Sequence, residues 1–293
     1  MTSQPLVSVL MTVYNREKYI AEAIESVLNS TYKNFELIIV DDQSKDESLA
    51  IAKSYESKDE RIKLYINEKN LGDYPNRNKA ASYAKGKYLK YLDADDTIYK
   101  YSLNYMVEAM EDNPNAALGI SFNKIEDVKP YPLISKPRQT YYDEYLGKSV
   151  LGCGPSAAII KKDVFEKKGG FSGKQYIGDH ELWLKISADY TIIKLQPSLI
   201  WWRQHENQQI VSERKNYEIL NTRYQLSLKT LKANKHLFDE KEYNVAISKH
   251  KQNHARFLLR ILIINKKIKK FRLLYKTSNL SFNELCKGLT GNI

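Results

Sequence analysis

The sequence predicts an α/β fold in which a mostly parallel central sheet is flanked by helices and followed by a helical C-terminal extension. Three observations lead to this prediction. Short β-branched apolar runs alternate with amphipathic stretches along the first half of the chain, as expected for a parallel sheet with helical crossovers. Polar clusters follow three of these runs. From residue 216 onward the apolar periodicity is helical throughout.

The first half of the chain supplies the elements of this sheet in order. Residues 6–11 form a β-branched strand, and residues 17–28 place apolar side chains on one helical face. Ser44 or Asp46 can cap the next helix, which we expect to run to about residue 57. The remaining predicted elements of this half are strands at 35–40, 62–66 and 88–92 and a helix at 76–84.

The second half is less regular. Residues 123–150 contain three prolines and four tyrosines, and we expect them to form a loop-rich insertion over the edge of the sheet. The later predicted elements are strands at 157–160, 192–195 and 199–202 and a helix at 179–187.

The positive charge lies in the last quarter of the chain. The whole sequence has a formal net charge of +11. Residues 1–212 contain 28 basic and 29 acidic residues, whereas residues 213–293 contain 18 basic and 6 acidic ones. We therefore predict a nearly neutral α/β domain at 1–212 and a basic, mainly helical region at 213–293. A basic region suits an anionic membrane or a nucleic acid as partner.

The composition excludes several classes of protein. With 42% hydrophobic and 28% charged residues, the chain is neither disordered nor collagen-like. Two cysteines, Cys153 and Cys286, are too few for a disulfide scaffold and fit a reducing cytoplasm. No apolar run approaches the roughly 18 residues of a membrane-spanning helix, and the N-terminal residues resemble neither a secretory signal nor an anchor. We expect a cytoplasmic protein, at most attached to a membrane surface.

Acidic residues at the predicted strand ends indicate a divalent-cation site. Asp41 and Asp42 follow one strand, and Asp93, Asp95 and Asp96 follow another. Because the carboxyl ends of parallel strands meet at one edge, we expect these residues to share a cleft. Mg²⁺ and Mn²⁺ prefer oxygen ligands and are commonly held by carboxylates together with substrate phosphates. The signatures GxGxxG, GxxxxGK(S/T) and GxSxG are absent, so the residues favour an enzyme that holds a diphosphate through a metal.

An ordered series of motifs makes the prediction more specific. The motifs lie at residues 7–15, 23–28, 36–44, 70–72, 77–78, 86–96, 169–171 and 178–185. With this series, about residues 5–210 of the sequence resemble the family 2 glycosyltransferases. That resemblance implies a Rossmann-like GT-A fold, a nucleotide-sugar donor and usually an inverting mechanism.

The resemblance also implies which residues bind the donor. Thr12 and Tyr14 would line the base and ribose pocket, with the Tyr14 ring available for stacking. Asp42 would accept from the uracil N3–H group, which favours a UDP-sugar. Arg77 would lie near the diphosphate or sugar, and Asp93 would face the ribose or sugar.

Three further residues are implied for the metal and the chemistry. Asp95 would face the metal, Mn²⁺ or Mg²⁺, and His205 would reach the metal or the diphosphate. Asp179 matches the catalytic base, and a transfer needs such a base to take the proton of the attacking hydroxyl. Simpler readings stay open: Asp179 suits a helix N-cap, Asp96 can cap the following helix, and His205 can be an ordinary hydrogen-bonded loop histidine. Trp201 and Trp202 are candidates for an acceptor-sugar platform, and Trp183 for the core.

A basic amphipathic helix is predicted near the C-terminus, within residues 254–276. Its apolar stripe suits the surface of an anionic membrane. The alternative is that the stripe packs on the rest of the protein or on another subunit. Nucleic acid is not favoured, because no known binding module is present. The stripe consists of Phe257, Ile261, Ile264, Ile268, Phe271 and Tyr275.

The sequence thus predicts an inverting, metal-dependent hexosyl- or N-acetylhexosaminyltransferase. It would move a sugar from a UDP-sugar to a hydroxyl of a glycan or lipid-linked acceptor, in bacterial cell-surface polysaccharide biosynthesis. Two alternatives remain. A sugar-nucleotide nucleotidyltransferase would need a Gly-rich, basic N-terminal loop that the sequence lacks. A non-catalytic nucleotide-binding adaptor with the same fold would have no need for the full set of aspartates.

Overall fold

The computed structural model describes residues 4–121, 130–205 and 216–289. These residues form two compact units. The first contains residues 4–121, 130–140 and 150–205, and the second contains residues 141–149 and 216–289. The domain boundary expected between residues 212 and 213 lies outside the described residues and stays a prediction.

The first unit is built around a large sheet. Its strands are, in chain order, β1 (Val7–Val13), β2 (Phe35–Asp41), β3 (Ile62–Ile66), β4 (Tyr88–Tyr91), β5 (Thr97–Ile98), β6 (Ala116–Ser121), β7 (Leu133–Ser135), β8 (Ala158–Lys161), β9 (Thr191–Leu195) and β10 (Ile200–Trp201). Eight of them form one sheet in the order β3-β2-β1-β4-β8-β6-β9-β7. The neighbouring strands from β3 to β4 are parallel, as are β6 and β9, which confirms the mostly parallel α/β prediction. Strands β5 and β10 pair separately as an antiparallel ribbon.

Helices connect these strands. They are α1 (Ile20–Leu28), α2 (Ser48–Glu56), α3 (Asp73–Tyr83), α4 (Ser102–Glu111), α5 (Pro137–Tyr145), α6 (Lys162–Lys167) and α7 (Gly178–Ser187). The apolar stripe of α1, which includes Ile20, Ile24 and Val27, is buried against the β1 side chains Val7, Val9 and Met11 in one core. The 3.6-residue period of α1 and the continuous apolar run of β1 are the sequence features that dictate this packing.

The strand register brings the predicted polar clusters to one edge of the sheet. Val13 at the end of β1 pairs with Asp41 at the end of β2, and Leu10 of β1 pairs with Tyr91 at the end of β4. The polar residues that follow β1, β2 and β4 therefore leave the sheet on the same side. This is the convergence that the sequence predicts.

Three sequence predictions for the first unit are wrong. Neither Ser44 nor Asp46 is the N-cap of α2, which is Glu47. Asp96 does not cap a helix, because the next residues, Thr97 and Ile98, pair with β10 and α4 begins only at Ser102. The predicted loop-rich insertion at 123–150 contains β7, which pairs with β9 at the sheet edge, and α5. Residues 123–129 of that segment lie outside the described residues.

The second unit is helical, as the sequence predicts. It contains α8 (Tyr217–Ala233), α9 (Glu240–Ile263), α10 (Ile268–Ser278) and α11 (Phe282–Cys286). Its core is formed by Tyr224 and Leu228 of α8 with Leu258, Ile261 and Leu274 of α9 and α10. The N-terminus of α9 is closed by a capping box in which Asp239 and Glu242 each accept a backbone N–H. Within the described residues, no helix combines the length and apolarity needed to cross a bilayer.

The predicted continuous basic helix is interrupted. Helix α9 ends at Ile263 and α10 begins at Ile268, and Lys266 between them has a positive φ of 53°. Because of this break the predicted stripe divides. Ile261 is buried and Phe271 packs against the core of the second unit. Ile264 and Ile268, in contrast, are each more than half exposed.

Candidate active site

Three carboxylates converge where β4 ends. Oxygens of Asp93, Asp95 and Asp96 all lie within 4.8 Å of one another. Both Asp95 and Asp96 are buried, so mutual repulsion acts in a poorly solvated place. Oxygen-only donors at this spacing fit Mg²⁺ or Mn²⁺, and a divalent cation bound there would relieve the repulsion.

Arg77 neutralises the first of these carboxylates. It is buried in α3, where its Nη2 lies 2.7 Å from Asp93 Oδ1 and its Nε donates to Asp73 Oδ1 at 2.7 Å. Burial opposes ionisation of Asp93, but the guanidinium outweighs burial and lowers the pKa of Asp93 below its ordinary value. Burial alone would also lower the pKa of Arg77, yet Asp73 and Asp93 raise it well above its ordinary value. Arg77 is therefore paired with the first residue of the aspartate motif, and its predicted place near the diphosphate or sugar stays a prediction.

One carboxylate oxygen of Asp95 contacts both a histidine and an arginine. His205 Nε2 lies 3.0 Å from Asp95 Oδ2, and Arg16 Nε donates to the same oxygen at 2.9 Å. The His205 ring also stacks on Tyr19, with centroids 5.0 Å apart. Asp95 and His205, predicted from the sequence as metal ligands, are thus adjacent. Sequence reasoning missed Arg16, although it directly follows Tyr14 and Asn15 of the first motif.

Asp96 is a much weaker acid than an ordinary aspartate. Burial, together with the charges of Asp93 and Asp95, raises the pKa of Asp96 to about 8. Its Oδ1 accepts from the Arg203 backbone N–H at 3.1 Å, and Arg203 Nε donates to the Asp95 carbonyl at 2.9 Å. Arg203 therefore ties the late segment before His205 to the aspartate cluster, a role that its position in the sequence does not reveal.

A buried polar layer supports the cluster from beneath. Ser156 Oγ accepts from the Asp93 N–H at 2.9 Å. The side chain of Lys90 is fully buried, and its ammonium donates to the carbonyls of Ser156 and Tyr91. Burial lowers the pKa of Lys90 to about 7 in spite of the nearby Asp93 and Asp96. Lys90 reads from the sequence as an ordinary strand residue, so only the fold reveals this support.

Asp42 organises the loop before α3. Its Oδ1 accepts from Leu71 N at 2.8 Å and Asn67 Nδ2 at 2.7 Å, and its Oδ2 accepts from Gly72 N at 2.9 Å. Gly72 has a φ of +82°, a conformation that glycine adopts without strain. The preceding Asp41 accepts from Ser44 N at 3.0 Å. Both aspartates therefore brace loops.

The two residues expected at the base pocket differ in accessibility. Thr12 is half-buried in β1, whereas Tyr14 is exposed beyond the end of that strand. The Tyr14 ring is therefore accessible for stacking. The carbonyl of Tyr14 accepts from Arg16 Nη1 at 3.1 Å, which fixes the backbone beneath the ring.

Asp179 lies in the first turn of α7, but it does not cap the helix. The N-cap position is Ile177, and Asp179 is half-buried. The Asp179 backbone N–H donates to the Tyr74 hydroxyl, and a Cβ at Gly178 would lie 2.8 Å from the Tyr74 ring. Tyr74 precedes Arg77 in α3 by less than one turn. Helix α3 thus links Asp179 to the carboxylate cluster.

The side chain of Asn78, the residue after Arg77, holds a turn through two hydrogen bonds. Its Nδ2 donates to the Phe171 carbonyl at 2.8 Å, and its Oδ1 accepts from the Phe171 N–H at 2.9 Å. Phe171 ends the Gly169-Gly170-Phe171 turn and packs against Tyr74, with ring centroids 5.1 Å apart. The Arg77–Asn78 pair therefore holds the aspartate cluster with one side chain and the turn before Asp179 with the other.

Comparisons with known proteins show which proteins this chain resembles. The chain is 35% identical over 215 residues to an uncharacterized glycosyltransferase of Methanocaldococcus jannaschii. The aligned region covers 68% of this chain and 71% of that protein. It is 36% identical over 152 residues to the putative teichuronic acid biosynthesis glycosyltransferase TuaG of Bacillus subtilis, covering 51% and 60% of the two chains.

Two solved structures share the fold. S. aureus TarS 1–349 in complex with UDP-GlcNAc has a TM-score of 0.68 at 20% identity, covering 92% of this chain and 79% of that chain. The mannosyltransferase PcManGT of Pyrobaculum calidifontis, in complex with GDP-Man and Mn²⁺, has a TM-score of 0.63 at 16% identity, with coverages of 98% and 87%. These likenesses confirm the GT-A fold. The profile of Glycosyl transferase family 2 matches residues 8–169, more than half of the chain, and the chain therefore belongs to that family.

Proposed function

We propose that this glycosyltransferase is an inverting, metal-dependent enzyme that transfers a hexosyl or N-acetylhexosaminyl group from a UDP-sugar. One observation carries the proposal: helix α3 contacts both the carboxylate cluster and the candidate base. Arg77 of α3 pairs with Asp93, and Tyr74 of the same helix accepts from the Asp179 backbone. A donor diphosphate and an attacking hydroxyl must be held in a fixed relative position, and a helix that contacts both kinds of group can fix it.

The proposed donor site uses the residues at the sheet edge. Tyr14 offers an exposed ring to the base, with Thr12 beside it in β1 and Asp42 as the acceptor for uracil N3–H. Arg77 and Asp93 would bind the sugar or diphosphate. Asp95, with His205, would hold Mn²⁺ or Mg²⁺, and that cation would neutralise charge on the departing UDP.

Asp179 is the proposed general base. It takes the proton of the acceptor hydroxyl while the hydroxyl oxygen forms a bond to the anomeric carbon. The bond from that carbon to the phosphate oxygen breaks, and its electron pair leaves with UDP. Attack from the face opposite the leaving group inverts the configuration, and no covalent carboxylate nucleophile is needed.

The relatives support this choice of substrates. The similar structures are of TarS in complex with UDP-GlcNAc and of PcManGT in complex with GDP-Man and Mn²⁺, and TuaG is a putative glycosyltransferase of teichuronic acid biosynthesis. We propose a glycan or lipid-linked acceptor, a role in bacterial cell-surface polysaccharide assembly and a cytoplasmic location.

A binding and turnover screen tests the proposal. Thermal unfolding with a panel of nucleotide sugars, with and without Mn²⁺, should show a metal-dependent stabilisation by one UDP-sugar. The same donor should release UDP, and Asp95→Asn should lose the metal dependence. Pyrophosphate release from a nucleoside triphosphate would instead support a nucleotidyltransferase. UDP binding without turnover of any donor would support a non-catalytic adaptor.

The break between α9 and α10 supports a proposal about location. We define residues 263–273 as the α9–α10 elbow. Its Ile263, Ile264 and Ile268 are each more than half exposed, and Lys266, Lys269 and Arg272 are exposed among them. The elbow contains no acidic residue. An apolar tip surrounded by cations suits an anionic membrane surface, so we propose that the basic region 254–276 meets the inner face of the membrane through this elbow.

Vesicle flotation tests the membrane proposal. The protein should bind phosphatidylglycerol-containing vesicles at low salt and release them at high salt, because exposed charges are screened. Ile264→Asp combined with Ile268→Asp should abolish binding. The control Val245→Asp changes another exposed apolar residue of α9 and should leave binding intact. Absence of wild-type binding at low salt would refute the proposal.

A further inference from the structure

The β5–β10 ribbon carries a cluster of exposed aromatic side chains. Tyr99, Tyr101 and Trp201 are between 40% and 45% exposed, although aromatic rings of this size gain considerable free energy from burial. Trp202 is 37% exposed but lies beyond the paired residues. Trp183, in contrast, is fully buried in α7. Several exposed aromatic residues on and beside one short ribbon indicate a surface that binds a ligand or a partner.

The ribbon pairing explains why these rings face outward. Ile98 pairs with Ile200 and both are buried in the core of the first unit, whereas Trp201 pairs with Thr97. Since successive strand residues point to opposite faces, burial of the isoleucine pair places Trp201 on the outer face. Tyr99 follows two residues after Thr97, and its ring lies nearly parallel to that of Tyr101, with centroids 6.0 Å apart.

The ribbon is held rigidly. The Ile98 N–H donates to Ser26 Oγ at 3.2 Å, and Ser102 Oγ donates to the Leu199 carbonyl at 2.5 Å. The Arg203 guanidinium lies 4.5 Å from the centre of the Trp201 ring, which restricts the ring on one side. A surface fixed before binding loses little entropy when it takes up a ligand.

The aromatic surface is continuous with the proposed active site. Arg203, which stacks on Trp201, donates its Nε to the Asp95 carbonyl at 2.9 Å. The same guanidinium lies 5.0 Å from the Tyr19 ring, and Tyr19 stacks on His205. A series of stacked planar groups therefore runs from Trp201 to the histidine beside Asp95.

We infer that this aromatic surface binds the carbohydrate acceptor, with a pyranose ring of the acceptor stacked on Trp201. This inference rests on the proposed glycosyl transfer. A pyranose presents C–H groups on its faces and hydroxyls around its edge. Its C–H face suits the electron-rich face of an indole, while its hydroxyls can bond to Arg203 and to Glu22, which pairs with Arg203 at the edge of the surface.

Charge argues against an anionic membrane as the ligand of this surface. Asp95 and Asp96 adjoin it through Arg203, Glu22 borders it, and residues 1–212 contain slightly more acidic than basic residues. Neutral, hydroxyl-rich acceptors tolerate such surroundings, whereas an anionic lipid surface is repelled. A second copy of this chain is the competing occupant, and the experiment distinguishes it.

Glycan-array binding with matched variants tests the inference. The probe is an array of immobilised oligosaccharides with hexose and N-acetylhexosamine termini. The protein should bind a subset of them, and Trp201→Ala or Tyr99→Ala should reduce the signal about tenfold, the size of one aromatic stacking contact. Trp201→Phe should retain most of the signal. The control Ile134→Ala changes another exposed apolar residue of the first unit and should bind like the wild type.

The outcomes are separable. Metal-dependent UDP-sugar binding should be unchanged in every variant, and its absence in the wild type would count against the proposed function itself. If UDP-sugar binds but no glycan does, or if Trp201→Ala and Tyr99→Ala bind glycans as strongly as the wild type, the acceptor assignment is wrong. It is also wrong if sedimentation shows a wild-type dimer that Trp201→Ala converts to monomer, because a second copy then covers the surface.

Discussion

The buried guanidinium of Arg77 forms ion pairs with two carboxylates. Asp73 lies in its own helix and Asp93 lies beyond β4, so a single side chain joins α3 to the end of a strand. A protein with a buried ion pair is often no more stable than one in which apolar residues replace both partners. Removal of one partner alone is strongly destabilising, because the other charge stays buried without compensation. The position of Arg77 therefore matters for folding as well as for the proposed donor binding.

Substitution of Arg77 should cost far more stability than substitution of a surface arginine. We expect Arg77→Met to lower the free energy of unfolding by about 3–5 kcal/mol. The control Arg61→Met removes the ion pair of a partly exposed arginine with Asp59 and should cost about 0–1 kcal/mol. Urea unfolding of the two variants measures both values. Equal effects would show that the buried pairing is not energetically distinct.

Gly86 illustrates a close approach that only glycine permits. An added Cβ would lie 2.6 Å from Ser8 N and 2.7 Å from Leu6 O, both backbone atoms of the β1 region. We expect Gly86→Ala to lower the free energy of unfolding by about 1–3 kcal/mol. Gly154 has open space around its Cβ position, so Gly154→Ala serves as the control and should change stability by less than about 0.5 kcal/mol. Matching thermal-unfolding curves for the two variants would contradict the packing.

At the scale of elements, periodicity and propensity predicted some parts well and others poorly. Strands β1 to β4 were predicted within a few residues, because continuous β-branched runs dictate buried parallel strands. Strand β6 was missed because its sequence, Ala-Ala-Leu-Gly-Ile-Ser, has weak strand propensity and is held in place by its neighbours β8 and β9. Helix α5 was missed because Pro137 suggested a loop, yet proline is favourable at the first position of a helix.

The candidate site shows the same division. The aspartates, Arg77, Asp179 and His205 stand in recognisable motifs, so the sequence identified them. Their partners did not stand out, because Arg16, Lys90 and Ser156 acquire their roles only when distant segments meet. Asp95 and Arg16, for example, are 79 residues apart in the chain. The break at Lys266 was not predicted either, since apolar spacing continues across it.

A buried histidine should make the helical unit sensitive to acid. His254 Nε2 donates to Asn221 Oδ1 at 3.0 Å, and its ring stacks on Tyr224 with centroids 3.8 Å apart. Burial, reinforced by His250, lowers the pKa of His254 to about 3. An unfolded histidine has a pKa of about 6.5, so between these values the unfolded chain binds more protons and stability falls as the pH falls.

Urea unfolding at two pH values checks this sign. Between about pH 7 and about pH 5, the unfolding free energy of the helical unit should fall by about 2 kcal/mol from His254 alone. We expect His254→Gln to remove that part of the pH dependence. Unfolding is followed by far-UV circular dichroism. His236 is exposed in the same unit, and His236→Gln should keep the wild-type slope. A wild-type slope in His254→Gln would contradict the burial effect.

At the scale of the whole molecule, the two units divide the charge and the proposed roles. The net charge of +11 belongs almost entirely to the region that contains α8 to α11. The α/β unit is nearly neutral because its basic residues are matched by acids, several of which form the carboxylate cluster. Chemistry is thus proposed for one unit and membrane attachment for the other, and each proposal can fail without the other.

The central claim is that Asp179 acts as the base of a glycosyl transfer. The most direct measurement compares UDP release and donor binding in Asp179→Asn with those of the wild type, using the UDP-sugar found by thermal unfolding. Asp189→Asn is the control, because Asp189 is an exposed acid that follows the same helix and pairs with Lys168. We predict that Asp179→Asn lowers turnover by about 10²–10⁴-fold with unchanged donor affinity, while Asp189→Asn retains activity. Retained turnover in Asp179→Asn would contradict the account.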